Sequence, residues 1–207
     1  VLDREQMDID LKEPMLMTGF NEMDKSTAVY RARLIAPATP TLLAGGNFNY
    51  DNVMKAKNAD KYIFSKENFE VFPDVWVADA NFKKNLQLTQ GIRQQDAFIW
   101  GTAELISWIS LDGKKLEGVI YKPANFDPNK KYPMIVNFYE RNAETLNKYR
   151  MPEPHRSTID YRMYLSNGYI VFNPDNRYRD GYPGESCFSC VMPGIQAVLS
   201  RGYVDEK

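Results

Sequence analysis

The chain is poor in the residues that metal and redox proteins are built from. It has two cysteines, Cys187 and Cys190, and one histidine, His155, in 207 residues. The cysteines are spaced C-x-x-C, but no second such pair completes a four-ligand site, and no thioredoxin-like βαβ pattern surrounds them. Their plain reading is two small side chains on the first turns of a helix; neither metal nor cofactor is expected. No apolar run approaches the ~20 residues of a membrane-spanning helix. Charge of neither sign dominates: 26 Lys and Arg stand against 27 Asp and Glu. That balance gives no electrostatic ground for a nucleic-acid partner. An initiator Met is lacking too. The charged start, Val1-Leu2-Asp3-Arg4-Glu5, has no secretory-signal character and reads as a piece of a longer protein.

Aromatics, in contrast, are plentiful, with 13 Tyr, 11 Phe and 3 Trp, and rings of this kind suit cross-strand packing. In the first part of the chain short β-rich runs alternate with turn signals. Strands are expected over 14–20, 28–35, 41–44, 61–66 and 74–79, with breaks at Pro37, Pro40 and Gly45-Gly46. That rhythm predicts an antiparallel all-β assembly, whether sandwich, barrel or propeller.

The character changes near Gln95. Residues 101–110 and 115–122 read as a hairpin around a two-residue Asp112-Gly113 turn. Met134 to Tyr139 is an almost unbroken apolar run, which favours a strand covered on both faces. A helix is expected over 157–166, capped by Ser157 with Asp160 three residues on, and stopped by Asn167-Gly168. Tyr169 to Phe172 is a further buried strand. Val191 to Leu199 reads as a helix with an irregular start at Pro193-Gly194. The β–α–β alternation after a β-only part predicts two domains, 1–95 all-β and 96–207 α/β.

Four segments of the second part resemble, in order, landmarks of the prolyl oligopeptidase family of serine peptidases. Leu111-Asp112-Gly113-Lys114-Lys115-Leu116-Glu117-Gly118 is similar to its S-x-D-G-x-x-L-x-G hairpin. Lys131-Tyr132-Pro133, running through Met134-Ile135-Val136-Asn137-Phe138 to Tyr139, resembles the K-Y-P strand that leads to Y-G-G-P. The run from Gly168-Tyr169 through Asp175-Asn176-Arg177 to Gly184-Glu185 resembles the G-Y…D-x-R-G segment. Gly202-Tyr203-Val204-Asp205 resembles the G-x-V-D that leads to the nucleophile strand. Upstream, Phe72 to Asp79 looks like the close of the family's β-propeller.

The resemblance implies a mixed fold: C-terminal blades of a β-propeller, about two, in 1–95, then the N-terminal half of an α/β-hydrolase domain in 96–207. It implies a serine-type peptidase acting on short peptides through an acyl-enzyme. The triad order in such a domain is Ser, Asp, His, and no G-x-S-x-G occurs in the chain. All three residues are therefore expected beyond Lys207, leaving these residues inactive by themselves. By the same order His155, Asp160 and Asp175 are not triad members; His155 reads as a surface or packing residue. The catalytic element the resemblance leaves inside the chain is Tyr139, as a phenol donor to the oxyanion. Here the sequence departs from the family: Glu140-Arg141-Asn142-Ala143 stands where Gly-Gly-Pro is usual. Glu140 and Arg141 are candidates for shaping substrate access. Arg177 is either a substrate-facing cation or, as the family favours, a brace paired with a carboxylate. Two further readings stay open: a non-catalytic peptide-binding module or pseudo-enzyme, and an esterase of the same fold. The resemblance favours a secreted or periplasmic setting over a cytoplasmic one. An exposed sheet edge is expected to promote self-association.

Overall fold

The computed structural model describes residues 10–35, 39–91, 93, 100–152 and 159–206. His155 and the expected cap Ser157 lie outside the described residues. The chain divides into two compact units, Val1–Arg93 with Asn147–Tyr149, and Gln94–Leu146 with Arg150–Lys207.

The first unit is two antiparallel meanders. Strands β1 (Met15–Phe20), β2 (Thr27–Ala32) and β3 (Thr41–Ala44) form one. Strands β4 (Asn49–Lys55), β5 (Lys61–Glu67), β6 (Asp74–Asp79) and β7 (Asn85–Gln87) form the other, in sequence order. Alternate residues of both sheets turn inward, as a pleat requires. Leu16, Val29, Val53, Phe64, Ala78 and Phe82 share one buried cluster. Two strands are additional to those expected. Asp51-Asn52 disguises β4 as a turn. In the structure Asn52 sits at φ 52° within a register shift between Asp51 and Met54, a bulge that Asn tolerates better than most residues. Strand β7 is three exposed residues with no apolar alternation to announce it.

Asn147–Tyr149 completes this unit. The Asn147 amide donates to the Asp24 carbonyl at 2.9 Å, and the Tyr149 amide N–H donates to the Glu67 carboxylate at 3.1 Å. The Tyr149 ring meets Phe72 edge-on, with centroids 5.3 Å apart.

The second unit is a mixed sheet with a helix on each face. Its strand order is β10 (Met134–Val136), β11 (Ile170–Pro174), β9 (Lys115–Lys122), β8 (Thr102–Ile109). Strands β10 and β11 run parallel; the other pairings are antiparallel. The β8–β9 hairpin closes differently from the expected two-residue turn. Ser110 N–H donates to the Lys114 carbonyl, so the loop is Leu111–Gly113, with Gly113 at φ 80°. That is the three-residue loop whose last position favours glycine.

Helix α1 (Tyr161–Ser166) covers one face, where Tyr121 and Tyr161 pack at 4.9 Å. Asp160 caps it, its carboxylate accepting from the Met163 amide at 3.2 Å. Helix α2 (Pro183–Leu199) covers the other face, with Ile106, Trp108, Ile120, Phe172, Cys190 and Val198 in a single core. This helix starts eight residues before the expected Val191 and runs through Pro193. Proline lacks an N–H and so cannot bond the carbonyl of Ser189 four residues back. That carbonyl accepts instead from the Leu111 N–H at 3.0 Å, and the Cys190 carbonyl accepts from Trp108 Nε1 at 2.8 Å. The hairpin thus fills the gap left by the proline. Cys187 and Cys190 lie on this helix as free thiols.

Candidate active-site turn

Strand β10 ends at Val136, three residues before the expected Tyr139; from Tyr139 on, the backbone is bonded to the segment that leaves β11. Asn137 N–H still reaches the Phe172 carbonyl of β11 at 2.9 Å. Its side-chain amide donates to the Tyr161 hydroxyl at 2.8 Å, where Asn173 Nδ2 also donates, at 2.9 Å. Phe138 and Tyr139 then leave the sheet at the carboxyl end of the parallel pair. In open α/β sheets that end is where ligands bind.

The turn that follows is anchored to the segment leaving β11. Tyr178 Oη donates to the Tyr139 carbonyl at 2.9 Å. The Asn176 amide N–H donates to the Glu140 carbonyl at 2.7 Å. Asp175 Oδ1 accepts two amide N–H groups, from Asn142 at 2.6 Å and from Ala143 at 2.8 Å. It thereby caps a single 3₁₀ turn, Ala143–Thr145. Asn142 Nδ2 closes the set onto the Pro174 carbonyl at 3.1 Å. Burial pushes the Asp175 carboxyl above its ordinary value, against the opposing pull of the Ala143 and Asn142 amides.

The Tyr139 side chain itself is 75% exposed, and among the described residues no hydrogen bond engages its hydroxyl. A phenol presented to solvent from a fixed backbone is free to donate to a bound ligand. Glu140 and Arg141 are exposed at its side, and Arg141 pairs with Glu144 at 2.5 Å. Arg177 is exposed also. Among the described residues the carboxylate pairing expected of it falls to Arg179, with Glu185 at 2.7 Å. Arg177, Tyr178 and Arg179 line a pocket of about 370 Å³ with Lys114 and Glu185. Asp175, dismissed as a triad acid, proves to be a structural organiser of the turn. Asn142, Asn176 and Tyr178 were not singled out for this role, although the run Asn173-Pro174-Asp175-Asn176 is rich in residues that bond to backbone.

Among the described residues no group of three or more His, Cys, Asp or Glu could hold a metal ion. Among them also, no helix is long and apolar enough to cross a membrane.

A mixed sheet with a helix on each face, and an exposed phenol at the carboxyl end of its parallel strands, defines the second unit as α/β; the first is β-only. No family model matches the chain. It is 32% identical over 106 residues to a probable dipeptidyl-aminopeptidase B of Ajellomyces capsulatus, a match covering 50% of this chain and 11% of that relative. The fold is similar to dipeptidyl peptidase 4 of Porphyromonas gingivalis, with a TM-score of 0.70 and 20% identity over 95% of this chain and 29% of that one. It is also similar to the acylaminoacyl peptidase of Pyrococcus horikoshii, with a TM-score of 0.61 and 18% identity over 92% and 30%. In sequence and fold alike, then, the chain is similar to peptidases of the prolyl oligopeptidase family, and the resemblance read from the sequence is borne out. Its mostly β architecture, with open sheets, matches the β-propeller region of dipeptidyl peptidase 4-like chains. It spans a small part of each of these relatives.

Proposed function

We propose that this chain is part of a serine-type peptidase that hydrolyses short peptides through an acyl-enzyme. Residues 1–95 supply the last blades of a propeller, and 96–207 the first half of an α/β-hydrolase domain. The observation that carries the reading is Tyr139: an exposed phenol on an anchored turn at the carboxyl end of β10, where the family resemblance expects an oxyanion donor. The acyl-transfer step leaves negative charge on the former carbonyl oxygen, and a hydroxyl already aimed at that point stabilises it without reorganisation. Nucleophile, base and acid come from residues outside these 207, so the chain alone is inert. Glu140 and Arg141 stand at the rim, where they shape access for the peptide.

The test uses the intact peptidase carrying Tyr139→Phe, with a chromogenic dipeptide substrate. Removing one oxyanion donor lowers kcat by about 10²–10³ and leaves KM within a small factor. An unchanged kcat would sink the assignment of Tyr139. A fluorophosphonate probe for nucleophilic serine should label the intact protein and not the 207-residue chain; labelling of the chain would refute its inertness.

A further inference from the structure

We infer that Asp175 is a positioning residue for Tyr139. Its carboxylate holds the turn after β10, where Glu140-Arg141-Asn142-Ala143 forms the bend. The inference rests on the reading of Tyr139 as an oxyanion donor, and the part concerning the turn stands by itself.

Glu140-Arg141-Asn142-Ala143 cannot adopt all the backbone angles open to Gly-Gly-Pro. Another force must hold the bend, and the structure contains one. A single oxygen, Asp175 Oδ1, takes the N–H groups of two successive residues, Asn142 and Ala143. Charged acceptors make shorter and stronger bonds to backbone N–H than neutral ones. Asn142 answers by donating its side chain to the Pro174 carbonyl, next to Asp175. Asn176 and Tyr178, immediately downstream, take the carbonyls of Glu140 and Tyr139. Every residue of 139–143 except Arg141 is thereby held by 174–178. Ala143 is 1% exposed, so its amide has no ready solvent substitute if Asp175 is lost. The chain spends a partly buried carboxylate on this bend. In return, Tyr139 keeps a fixed backbone while its ring stays free for a ligand.

The experiment has two arms. In the ¹⁵N-labelled chain, Asp175→Ala should speed hydrogen exchange of the Asn142 and Ala143 amides by about tenfold or more, and Asp175→Asn should hold both near wild type because Oδ1 still accepts. Unchanged exchange in Asp175→Ala overturns the inference, as does an Asn variant no better than Ala. In the intact peptidase, Asp175→Ala should lower kcat by about tenfold with KM within about twofold, with Asp175→Asn restoring most of it. A parallel loss of kcat, KM and melting temperature, without rescue by Asn, marks a general packing role and overturns it. Should Asp175→Ala fail to fold, Tyr178→Phe removes one exposed anchor of Tyr139; it should cost kcat several-fold, and no loss counts against the inference. If Tyr139→Phe keeps full activity while the exchange arm behaves as expected, it is the oxyanion reading that falls, not Asp175's hold on the turn.

Discussion

Trp108 and Cys190 are joined by a hydrogen bond from the indole Nε1–H to the helix carbonyl, 2.8 Å long and buried. The bond exists because the chain at Pro193-Gly194 makes room for it. Proline leaves the neighbouring Ser189 carbonyl to Leu111, and the missing Cβ of Gly194 lets the indole lie against the backbone. A Cβ built on Gly194 would meet Trp108 at 2.8 and 2.9 Å and Phe172 at 3.2 Å. Trp108 and Phe172 in turn pack edge-on, 5.6 Å apart.

Gly194→Ala therefore sets two effects against each other. Alanine in a helix interior normally gains about 1 kcal/mol over glycine. Overpacking a well-filled core costs about 1–3 kcal/mol, and both rings are buried, Trp108 at 7% exposure and Phe172 at 0%. The expected result is net destabilisation by about 1–2 kcal/mol. Urea unfolding followed by circular dichroism measures it; a more stable variant would show that the indole can shift.

How far the sequence could be read follows from the range of the interactions. Strands β5, β6 and β9 were legible because their inward residues alternate or run unbroken, a local signal. Strand β4 was not, since Asp51-Asn52 carries turn chemistry that a bulge uses equally well. The start of α2 was hidden for a related reason: Pro183 and Gly184 read as breakers although proline suits the first turn of a helix, and Pro193 reads as a stop until Leu111 is known to replace the bond it removes. Tyr139 could be picked out through the family resemblance, by its match to the Tyr that follows the K-Y-P strand. Its anchors Asp175, Asn176 and Tyr178 could not, because they lie more than thirty positions downstream and are joined to the turn only by the parallel pairing of β10 with β11.

Glu104 and Asp175 depart from the ordinary carboxylate in opposite directions. Burial raises Glu104, but bonds from Arg201 at 2.6 Å and Lys122 at 2.5 Å outweigh it and hold its carboxyl below the ordinary 4.5. Its contribution to stability is complete above 4.5 and is lost as pH falls through the lowered value. Glu104→Gln should therefore flatten the acid limb below that pH, by about 1 kcal/mol at most, because the group is partly exposed. Urea midpoints across the acid range measure the limb; an undiminished slope in the variant would assign it elsewhere.

Asp175 has the reverse sign. Burial raises it, so the folded chain binds that proton more tightly, and its charge costs stability once pH exceeds the raised value. Asp175→Asn keeps an acceptor without the charge. It should leave stability at pH 7 unchanged or higher, and remove the gain that the native chain shows as pH falls from there toward the ordinary 3.8. Thermal unfolding at a series of pH values tests this, and a variant clearly weaker at pH 7 would contradict it.

Glu67 ties Asn147–Tyr149 into the first unit. It is 8% exposed and accepts from the Asn49 side chain at 2.9 Å and the Tyr149 amide at 3.1 Å, with Lys148 Nζ at 3.3 Å. Glu67→Ala strands a largely buried amide and should cost about 1–3 kcal/mol. Glu67→Gln still offers one oxygen and should cost less. Hydrogen exchange at Tyr149 should quicken in the first variant. If it stays slow, the Phe72 contact and the Asn147–Asp24 bond hold the segment without Glu67.

The outer edge of β10, like that of β8 at the other end of the sheet, is a place where the sheet invites a partner. Adjacent residues of a strand point their polar groups to opposite sides. Pro133 turns its carbonyl to Ile170 of β11, and Tyr132 turns outward to bond Tyr203 and Asp205, forming a parallel bridge with Val204. Among the described residues no further strand pairs with β10 on that side. Phe138, 41% exposed, and Tyr139 stand at its end. Open edges flanked by apolar side chains recruit other strands, and charge suppresses them. Light scattering of the chain should accordingly show association that grows with concentration. Phe138→Lys, which places a charge at that edge, should raise the onset concentration by about tenfold. A monodisperse monomer throughout would remove the edge as a contact surface. Association untouched by Phe138→Lys would move it to another face.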